Sequence, residues 1–419
     1  MDQSRHLEPS TLDVMTPEHF ERHGYAHPEW TWMRRNDPVY WYERPNVDPF
    51  WAITKHADII SIGKQPELFL NGPRMAVFTH DLPPPAESRH LLNMDPPDHA
   101  PYRRVTSSWF TPRAIRSMEE KVARVTREVL DDAAQLHDGD FVRDISAKIT
   151  IAVIAEMLGV PRSDWELLFR WTNEIIAPED PEFQHGATPH ETMERSRLEL
   201  FAYFDEMSTR RRANPTDDIV SVVANGSVNG EPLPIIELLS YYFLLVVAGN
   251  ETTRNAMTGG MLAFLENPGE WQKLRRSPEL LDRSVEEIVR WTTPVIQFAR
   301  TATRDVELRG KTIRAGQSVC LFYASGNRDE EVFDEPFAFR ADRSPNPHVG
   351  FGMGEHVCLG AHLARLELRH AFDQLRERLE ECELSGPVAR VRSSFVGGIK
   401  RAPMRWRITP SLSSQPGTG

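Results

Sequence analysis

The fold of this chain is decided by the stretch Phe351-Gly352-Met353-Gly354-Glu355-His356-Val357-Cys358-Leu359-Gly360, which holds one cysteine in a glycine-rich turn. From Leu359 to Leu379 the apolar residues have helical spacing, so we expect Cys358 at or just before a helix N-terminus. Free backbone N–H groups and the positive end of the helix dipole favour a thiolate there. A lone cysteine in a turn is more often a buried structural residue. The glycines, however, would let a flat macrocycle lie against this loop, and a thiolate can bind iron.

A second informative stretch is the long apolar helix predicted from about Pro234 to Glu266, which carries Ala248-Gly249-Asn250-Glu251-Thr252-Thr253 near its middle. A glycine inside a helix costs about 1 kcal/mol relative to alanine, and a carboxylate beside an apolar run is costly unless it is solvated or paired. The Thr252 hydroxyl can bond the carbonyl one turn earlier and widen the helix into a small groove. Taken alone, an acid–threonine pair on a helix is most often a solvated face.

The pattern Phe-x-x-Gly-x-His-x-Cys-x-Gly resembles the haem-binding signature of the cytochrome P450 family, and other motifs of that family recur here in its order. The resemblance covers nearly the whole chain. It implies the cytochrome P450 fold, which is mainly α with small β-sheets (α+β), with haem b between a long distal helix and a cysteine-bearing proximal helix. It makes Cys358 the axial metal ligand and places Phe351 beside the cofactor.

The same resemblance assigns catalytic roles to the middle of the long helix. Thr252 would hydrogen-bond the dioxygen that is being activated, and Glu251 would gate protons, which is a plausible general-acid role for a carboxylate linked to water. A thiolate on haem iron favours cleavage of the O–O bond.

Two further groups of residues are implied by the resemblance. The first would neutralise the haem propionates and consists of His99, Arg103, Arg300, His348 and His356. The second would form a buried network that locks the segment before the cysteine and consists of Glu287, Arg290 and Arg343. Removing the carboxylate of that network would leave uncompensated buried charge.

The composition points to an ordinary soluble enzyme. A net charge of −12 argues against nucleic acid as a partner, and 40% of the residues are hydrophobic. The start of the chain has no apolar run, and the stretch from Leu238 to Ala248 is too short to span a bilayer. We therefore expect a cytoplasmic monomer with no membrane span. Three cysteines without C-x-x-C spacing argue against both a disulfide framework and a zinc site.

The organisation along the chain suggests one haem-binding domain over residues 1–410, followed by a disordered tail over residues 411–419. Its β-rich parts are expected at about 37–55 and 295–350, and the remainder is α-rich. A hairpin is predicted from the strands Val39 to Tyr42 and Phe50 to Thr54 around a turn in Asn46 to Pro49. Prolines make regular helix unlikely across most of residues 71–98, which therefore resemble a lid.

The candidate substrate residues follow from where the family places its substrate loops. The apolar candidates are Val77, Phe78, Leu244, Val247, Ala248, Val295, Ile296, Phe298 and Val396, and Gln297 is a possible polar anchor. Such walls suit a hydrophobic substrate. The stretches from Arg290 to Val295 and from Ser344 to Gly352 look like those of actinobacterial members that oxidise sterol side chains or methyl-branched isoprenoids. Fatty acids and polyketides, including macrolides, remain open as alternatives.

Three function classes compete. The leading hypothesis is a haem-thiolate monooxygenase that uses O2 and receives electrons from NAD(P)H through a ferredoxin reductase and a ferredoxin. The acidic ferredoxin would dock on a local basic patch formed by Arg104, Arg113, Arg116, Arg365 and Arg369. A non-catalytic haem sensor or carrier would tolerate loss of the Glu251–Thr252 pair, which is intact here. A peroxide-driven peroxygenase would more naturally lack it.

Overall fold

The computed structural model describes residues 7–72, 74–82 and 89–411. Its helices are α1 (Pro17–His23), α2 (His27–Asn36), α3 (His56–Gly63), α4 (His99–Ser107), α5 (Pro112–Ser117), α6 (Glu119–Ala133), α7 (Ala147–Leu158), α8 (Trp165–Ile176), α9 (Pro189–Ala213), α10 (Ile219–Ala224), α11 (Ile235–Glu266), α12 (Pro268–Arg276), α13 (Leu281–Thr292), α14 (Tyr323–Gly326) and α15 (Ala361–Arg378). Its strands are β1 (Val39–Arg44), β2 (Val47–Ile53), β3 (Phe69–Leu70), β4 (Asp138–Asp140), β5 (Ser227–Val228), β6 (Glu231–Pro232), β7 (Gln297–Ala302), β8 (Val306–Leu308), β9 (Lys311–Ile313), β10 (Ser318–Phe322), β11 (Leu379–Leu384), β12 (Ala389–Arg390), β13 (Ile399–Arg401) and β14 (Pro403–Ile408). The prediction of a mainly helical fold with small sheets is confirmed.

The largest sheet has five strands in the order β1-β2-β10-β7-β3. The hairpin of β1 and β2 forms where the sequence predicts it, but its turn is Pro45-Asn46, two residues earlier than expected. Arg44 pairs with Val47, and the Val47 side chain is buried in the core around Trp30 and Phe50. Burial of a valine therefore outweighs the turn preference of the polar residues beside it.

Helix α11 is the central element of the helical part. It is 32 residues long and packs against α7, α8, α9, α13 and α15. By length and composition this helix could cross a membrane, but more than half of its most apolar window is buried inside the protein. Its N-terminal half belongs to an apolar cluster that also contains Leu363 and Leu366 of α15. Helix α11 is therefore a core helix that lies against the helix following the cysteine loop.

The C-terminal part contains strands that the sequence analysis did not identify. Strands β11, β14 and β4 form a three-stranded sheet, and β12 pairs with β13. Of the predicted disordered tail, Ser411 is ordered, because its N–H and hydroxyl both donate to the Asp131 carboxylate, at 2.8 and 2.6 Å. Residues 412–419 lie outside the described residues, as do Pro73 and residues 83–88 of the predicted lid.

Candidate active site

The cysteine loop ends just before α15, as the sequence predicts. The Cys358 N–H donates to the Phe351 carbonyl at 2.8 Å, which closes the loop. Arg103 of α4 donates to the Val357 carbonyl at 2.7 Å and fixes the loop from the opposite side. The Cys358 side chain is exposed, and its neighbour Leu359 packs against the apolar cluster that includes Leu245 and Val246 of α11. The cysteine loop therefore lies near α11.

The glycines of this loop are required mainly by the backbone conformation and by a close backbone contact. Gly352 and Gly354 both have φ +68°, a left-handed conformation that favours glycine. A Cβ at Gly354 would lie 2.1 Å from the Gly63 carbonyl oxygen, so this glycine also lets the end of α3 approach. Around Gly360 there is open space. Only Gly360 fits the expectation that a glycine leaves room for a flat macrocycle.

The pKa of the Cys358 thiol is set by opposing effects. Desolvation by the surrounding protein raises this pKa above its ordinary value, while the Gly360 N–H and the guanidinium groups of Arg103 and Arg365 lower it. The predicted stabilisation of a thiolate is present, but desolvation outweighs it. A coordinating metal ion deprotonates a thiol outright, so the loop suits a metal-bound thiolate.

Four of the five predicted propionate partners come together, and we call them the propionate cluster: His99, Arg103, Arg300 and His356. The rings of His99 and His356 lie 4.1 Å apart between centroids. Burial, followed by the Arg103 charge, lowers the pKa of His99 to about 4. Burial together with the charges of His99, Arg300 and Arg103 lowers the pKa of His356 to about 2. The cluster is thus electropositive and poorly solvated.

The propionate cluster fits a buried dianion. The Nε2 atoms of both His99 and His356 are buried without a hydrogen-bond partner. Unpartnered buried polar atoms are costly, and two carboxylates would satisfy them while balancing the guanidinium charges nearby. Together with the Cys358 thiol, these residues fit haem b with its two propionates.

His348 is not brought into this cluster. Its Nε2 lies 3.0 Å from the Glu286 carboxylate, and its Nδ1 accepts the Gly350 N–H at 3.2 Å. Because both ring nitrogens have protein partners, His348 has no free donor for a propionate. Phe351, the other predicted cofactor neighbour, lies under the Arg365 guanidinium at 4.3 Å from its ring centroid.

The middle of α11 presents one open face in an otherwise buried helix. Leu244, Ala248 and Thr252, which are one turn apart, are partly or fully exposed while most of their neighbours are buried. The Thr252 hydroxyl donates to the Ala248 carbonyl at 3.0 Å, as predicted. A Cβ at Gly249 would lie 2.9 Å from the Ile154 side chain, so this glycine lets α7 pack closely. Ala248 belongs to the open face.

Glu251 is turned away from the open face and held by its own helix. One oxygen, Oε1, accepts hydrogen bonds from Arg254 and, at 2.9 Å, from the Asn255 amide. The other oxygen, Oε2, is buried without a partner. Arg254 in turn donates to Asn173 of α8 at 3.0 Å. Arg254 and Asn255 were not predicted as site residues, although their spacing of three and four residues from Glu251 places them on its face of the helix.

The predicted structural network is formed. Arg290 donates to both oxygens of Glu287 at 2.7 Å, and Arg343 donates to the same carboxylate at 3.0 and 3.1 Å. All three side chains are at most 4% exposed. The remaining guanidinium hydrogens bond backbone carbonyls, among them those of Asp334 and Pro336. The network therefore holds the segment that leads to the cysteine loop.

Aromatic side chains form a wall beside β7. Phe395 packs edge-on against Phe78 and Phe298, with centroid distances of 5.4 and 5.6 Å. Phe78 and Phe298 are partly exposed, as are Leu244 and Val295 among the predicted substrate residues. Each of these side chains, like that of Ala248, exposes apolar surface.

Four of the predicted substrate residues are not positioned as pocket walls. Val77 and Ile296 are fully buried in the core around Trp30, Val247 is only 8% exposed, and Val396 is buried in a β-bridge to Val295. The predicted polar anchor is also occupied. Gln297 donates to the Val77 carbonyl at 2.7 Å and accepts the Val77 N–H at 3.3 Å. Gln297 thus pins the lid to β7 and is unavailable to a substrate.

A side-chain hydrogen bond joins residues 74–82 to the loop 177–188. The lid segment, which we define as residues 74–82, contacts the loop 177–188 where the Thr79 hydroxyl donates to Glu179 at 3.1 Å. The loop itself is anchored by the fully buried Asp180, which binds Lys400 at 2.9 Å. Arg392 extends this anchor to Glu21 of α1 at 2.8 Å. No short-range sequence pattern links these residues, and the sequence analysis missed them.

Only part of the predicted basic patch is free. Arg365 is bonded to Glu286 at 2.6 and 2.8 Å, and Arg369 lies 3.2 Å from Asp282. Three arginines are exposed on α4 and α5, which adjoin the cysteine loop and α15, and we call them the basic patch: Arg104, Arg113 and Arg116.

Comparison with known proteins gives consistent results. The family model described as Cytochrome P450 matches residues 33–387. The chain is 39% identical over 404 residues to a steroid C26-monooxygenase of Mycolicibacterium smegmatis, with 92% of each chain covered. It is 37% identical to a methyl-branched lipid omega-hydroxylase of Mycobacterium bovis, with 89% of each covered. A solved Mycobacterium marinum cytochrome P450 in complex with pseudoionone superposes with a TM-score of 0.88 at 34% identity, covering 95% of this chain and 99% of that one.

Proposed function

Because this chain belongs to the cytochrome P450 family and is a monooxygenase with cysteine-ligated haem b as its cofactor, we propose that it hydroxylates a lipid-like substrate, either a sterol side chain or a methyl-branched isoprenoid. The observation that carries this proposal is the apolar wall formed by Phe78, Phe298 and Phe395, two of which are candidate substrate residues. With Gln297 occupied by the lid backbone, binding would depend on buried apolar area. The names of the relatives support the same class.

Each group of site residues has its own proposed role. Cys358 would hold the iron, and the propionate cluster would bind the carboxylates of the cofactor. Thiolate-ligated haem, when bound, supplies the activation of dioxygen. Thr252 offers its hydroxyl on the open face, and Glu251 places a carboxyl group one residue away in a buried turn of the helix, where it would act in proton delivery. The phenylalanine wall orients the substrate and excludes water from it.

For the electron supply, we propose NAD(P)H through a ferredoxin reductase and an acidic ferredoxin that docks on the basic patch. Arg103, the residue before Arg104, bonds the cysteine loop directly. A partner on this patch would therefore lie against the loop that carries the thiolate. Large exposed apolar side chains are few and scattered among the described residues, which supports a monomer, and we propose the cytoplasm as its location.

The substrate class can be tested by titrating the purified holoprotein with steroids, branched isoprenoids and fatty acids while its visible absorbance is recorded. We expect a low-spin to high-spin shift with a sterol or a branched isoprenoid, at a lower concentration than with a straight-chain fatty acid. Phe395→Ala should weaken that binding by about tenfold or more, because a buried phenylalanine contributes roughly 1.5–3 kcal/mol. Stronger shifts with fatty acids or polyketides would reject the proposed class while leaving the chemistry unchanged.

A further inference from the structure

An ion cluster that no predicted role accounts for joins α13 to α15 beside the cysteine loop. Glu286 on α13 accepts two hydrogen bonds from Arg365 on α15, at 2.6 Å from Nε and 2.8 Å from Nη2. The same carboxylate lies 3.0 Å from Nε2 of His348. We call these three residues the Glu286 cluster. The Arg365 fork is bidentate, which is the strongest arrangement for a guanidinium and a carboxylate.

His348 contributes a hydrogen bond to this cluster without adding a charge. Its Nδ1 accepts the Gly350 N–H at 3.2 Å, so the ring proton lies on Nε2 and is donated to Glu286. Desolvation raises the pKa of Glu286, but the hydrogen bonds from Arg365 and His348 outweigh this effect and lower the pKa to about 2. Glu286 is therefore ionised at neutral pH, and the cluster holds one negative and one positive charge.

The positive charge of the cluster lies against the cysteine loop. The Arg365 guanidinium sits 4.3 Å from the centroid of the Phe351 ring, a cation–π contact that holds it in place. The Phe351 carbonyl accepts the Cys358 N–H at 2.8 Å. Arg365 is also one of the two guanidinium groups that lower the pKa of the Cys358 thiol. Its charge therefore acts at the sulfur.

The two guanidinium groups that act on Cys358 differ in their partners. Arg103 donates to the uncharged Val357 carbonyl, and no carboxylate of the described chain lies within ion-pair distance of it. Arg365 is paired with Glu286. Of these two charges, only that of Arg365 is balanced by a carboxylate of the described chain. The electrostatic potential at the sulfur thus depends on Glu286.

We propose that Glu286 is a positioning residue whose carboxylate balances the Arg365 charge at the Cys358 thiolate and thereby lowers the reduction potential of the bound haem. The inference rests on the proposed role of Cys358 as the iron ligand. Reduction adds one electron and makes the haem site more negative by one charge. An unbalanced Arg365 would favour that state and raise the potential.

The test removes each charge of the pair separately and then both together. Glu286→Gln removes the carboxylate charge at nearly unchanged size, Arg365→Gln removes the guanidinium, and the double variant removes both. The matched control is Asp282→Asn, because Asp282 also lies on α13 and pairs with an arginine of α15, Arg369, at 3.2 Å. Asp282 is largely exposed, and its substitution changes the net charge by the same amount as Glu286→Gln.

The measured quantity is the reduction potential of each holoprotein, obtained by spectroelectrochemical titration. We expect Glu286→Gln to shift the potential in the positive direction and Arg365→Gln to shift it in the negative direction. The double variant should lie between Arg365→Gln and the wild type, and Asp282→Asn should match the wild type. Shifts of the same sign in Glu286→Gln and Arg365→Gln would overturn the proposal, and so would equal shifts in Glu286→Gln and Asp282→Asn.

Two further readouts separate this electrostatic role from a structural one. Haem content and the ferrous–CO spectrum should be of the wild-type, thiolate kind in every variant. If Glu286→Gln alone fails to retain haem, the double variant, which leaves Arg365 without an unpaired charge, is compared with Arg365→Gln. Its potential should be the more positive of the two, and equal potentials would reject the role of Glu286. A wild-type protein without a thiolate-type ferrous–CO spectrum would reject Cys358 as the ligand, and this inference with it.

Discussion

Glu287 is the single carboxylate between two buried guanidinium groups. Its substitution by alanine would leave Arg290 and Arg343 without a counter-charge while they still hold the carbonyls before the cysteine loop. Removing one partner of a buried ion pair typically costs about 3–5 kcal/mol. We therefore expect Glu287→Ala to be purified with little haem, as measured by the ratio of Soret to protein absorbance.

The control for this variant is Asp282→Ala on the same helix. Asp282 is largely exposed, and its contact with Arg369 is a surface ion pair. Surface pairs contribute little to stability, so its haem content should be normal. Normal haem content in Glu287→Ala as well would show that the network does not position the cysteine loop.

Thr252 is the residue that should separate haem binding from productive turnover. Its hydroxyl is bonded only within its own helix, so Thr252→Ala should leave the fold, haem content and substrate binding unchanged. Loss of the hydroxyl should divert most reducing equivalents to hydrogen peroxide, which is measured together with product per NADPH. Thr252→Ser, which keeps the hydroxyl, should restore most of the coupling. A Thr252→Ala variant with wild-type coupling would refute the assigned role.

At the residue scale the sequence predicts positions better than partners. Cys358, Glu287 and Thr252 stand in short motifs whose spacing itself fixes their geometry. Ligand-binding roles were predicted for His348 and Gln297. In the structure His348 pairs with Glu286, and the Gln297 amide bonds the Val77 backbone. Those partners are far away in sequence, so no local sequence pattern predicts them.

The contact between the lid segment and the loop 177–188 depends on one carboxyl group. Burial raises the pKa of Glu179 to about 7, against a smaller lowering by the hydrogen bond from Thr79. Glu18 and Asp81 also raise this pKa, and Arg392 lowers it. In the open state the pKa should return toward the ordinary glutamic acid value of about 4.3.

The direction of the pH effect follows from this difference. The closed contact binds the proton more tightly than the open state, so closure is most stable at low pH and weakens as the pH rises toward about 7. We expect hydrogen exchange in residues 74–82 to be faster at pH 7.5 than at pH 5.5, beyond the intrinsic pH dependence of exchange. Glu179→Gln should remove that excess. An equal excess in wild type and Glu179→Gln would exclude Glu179 as its origin.

At the element scale, the long helices, the hairpin of β1 and β2 and the β-rich part that contains β7 to β10 were predictable, and the C-terminal strands were not. Helix α11 is visible in the sequence because its apolar run is long. Strands β11 to β14 were missed, since β11 and β14 carry many charged residues and are held by pairing with each other. Loop 177–188 has no pattern at all, and its position depends on Asp180 meeting Lys400 across 220 residues.

On the scale of the whole molecule, the basic patch stands out against a net charge of −12. A ferredoxin that docks there should reduce the enzyme more slowly as ionic strength rises, because exposed charges are screened within about 10 Å at 0.1 M salt. We expect Arg113→Glu to slow reduction several-fold at low salt and to flatten the salt dependence, as measured by stopped-flow absorbance.

The control for the patch is Arg314→Glu, which changes the net charge equally at an exposed arginine after β9. Its reduction rate should match that of the wild type. Equal slowing by both substitutions would mean that overall charge, and not the patch, governs the encounter.

The two ends of the folded chain meet beside the active site. The Tyr25 ring packs on Gly397, and Glu18 and Glu21 of α1 bind Arg392. All of these residues lie outside the region 33–387 that the family model matches. A gene fragment trimmed to the matched boundaries would therefore lack both partners of each of these contacts, and Phe395 as well. Expressed fragments and fusions should keep residues 17–25 and 391–400 intact.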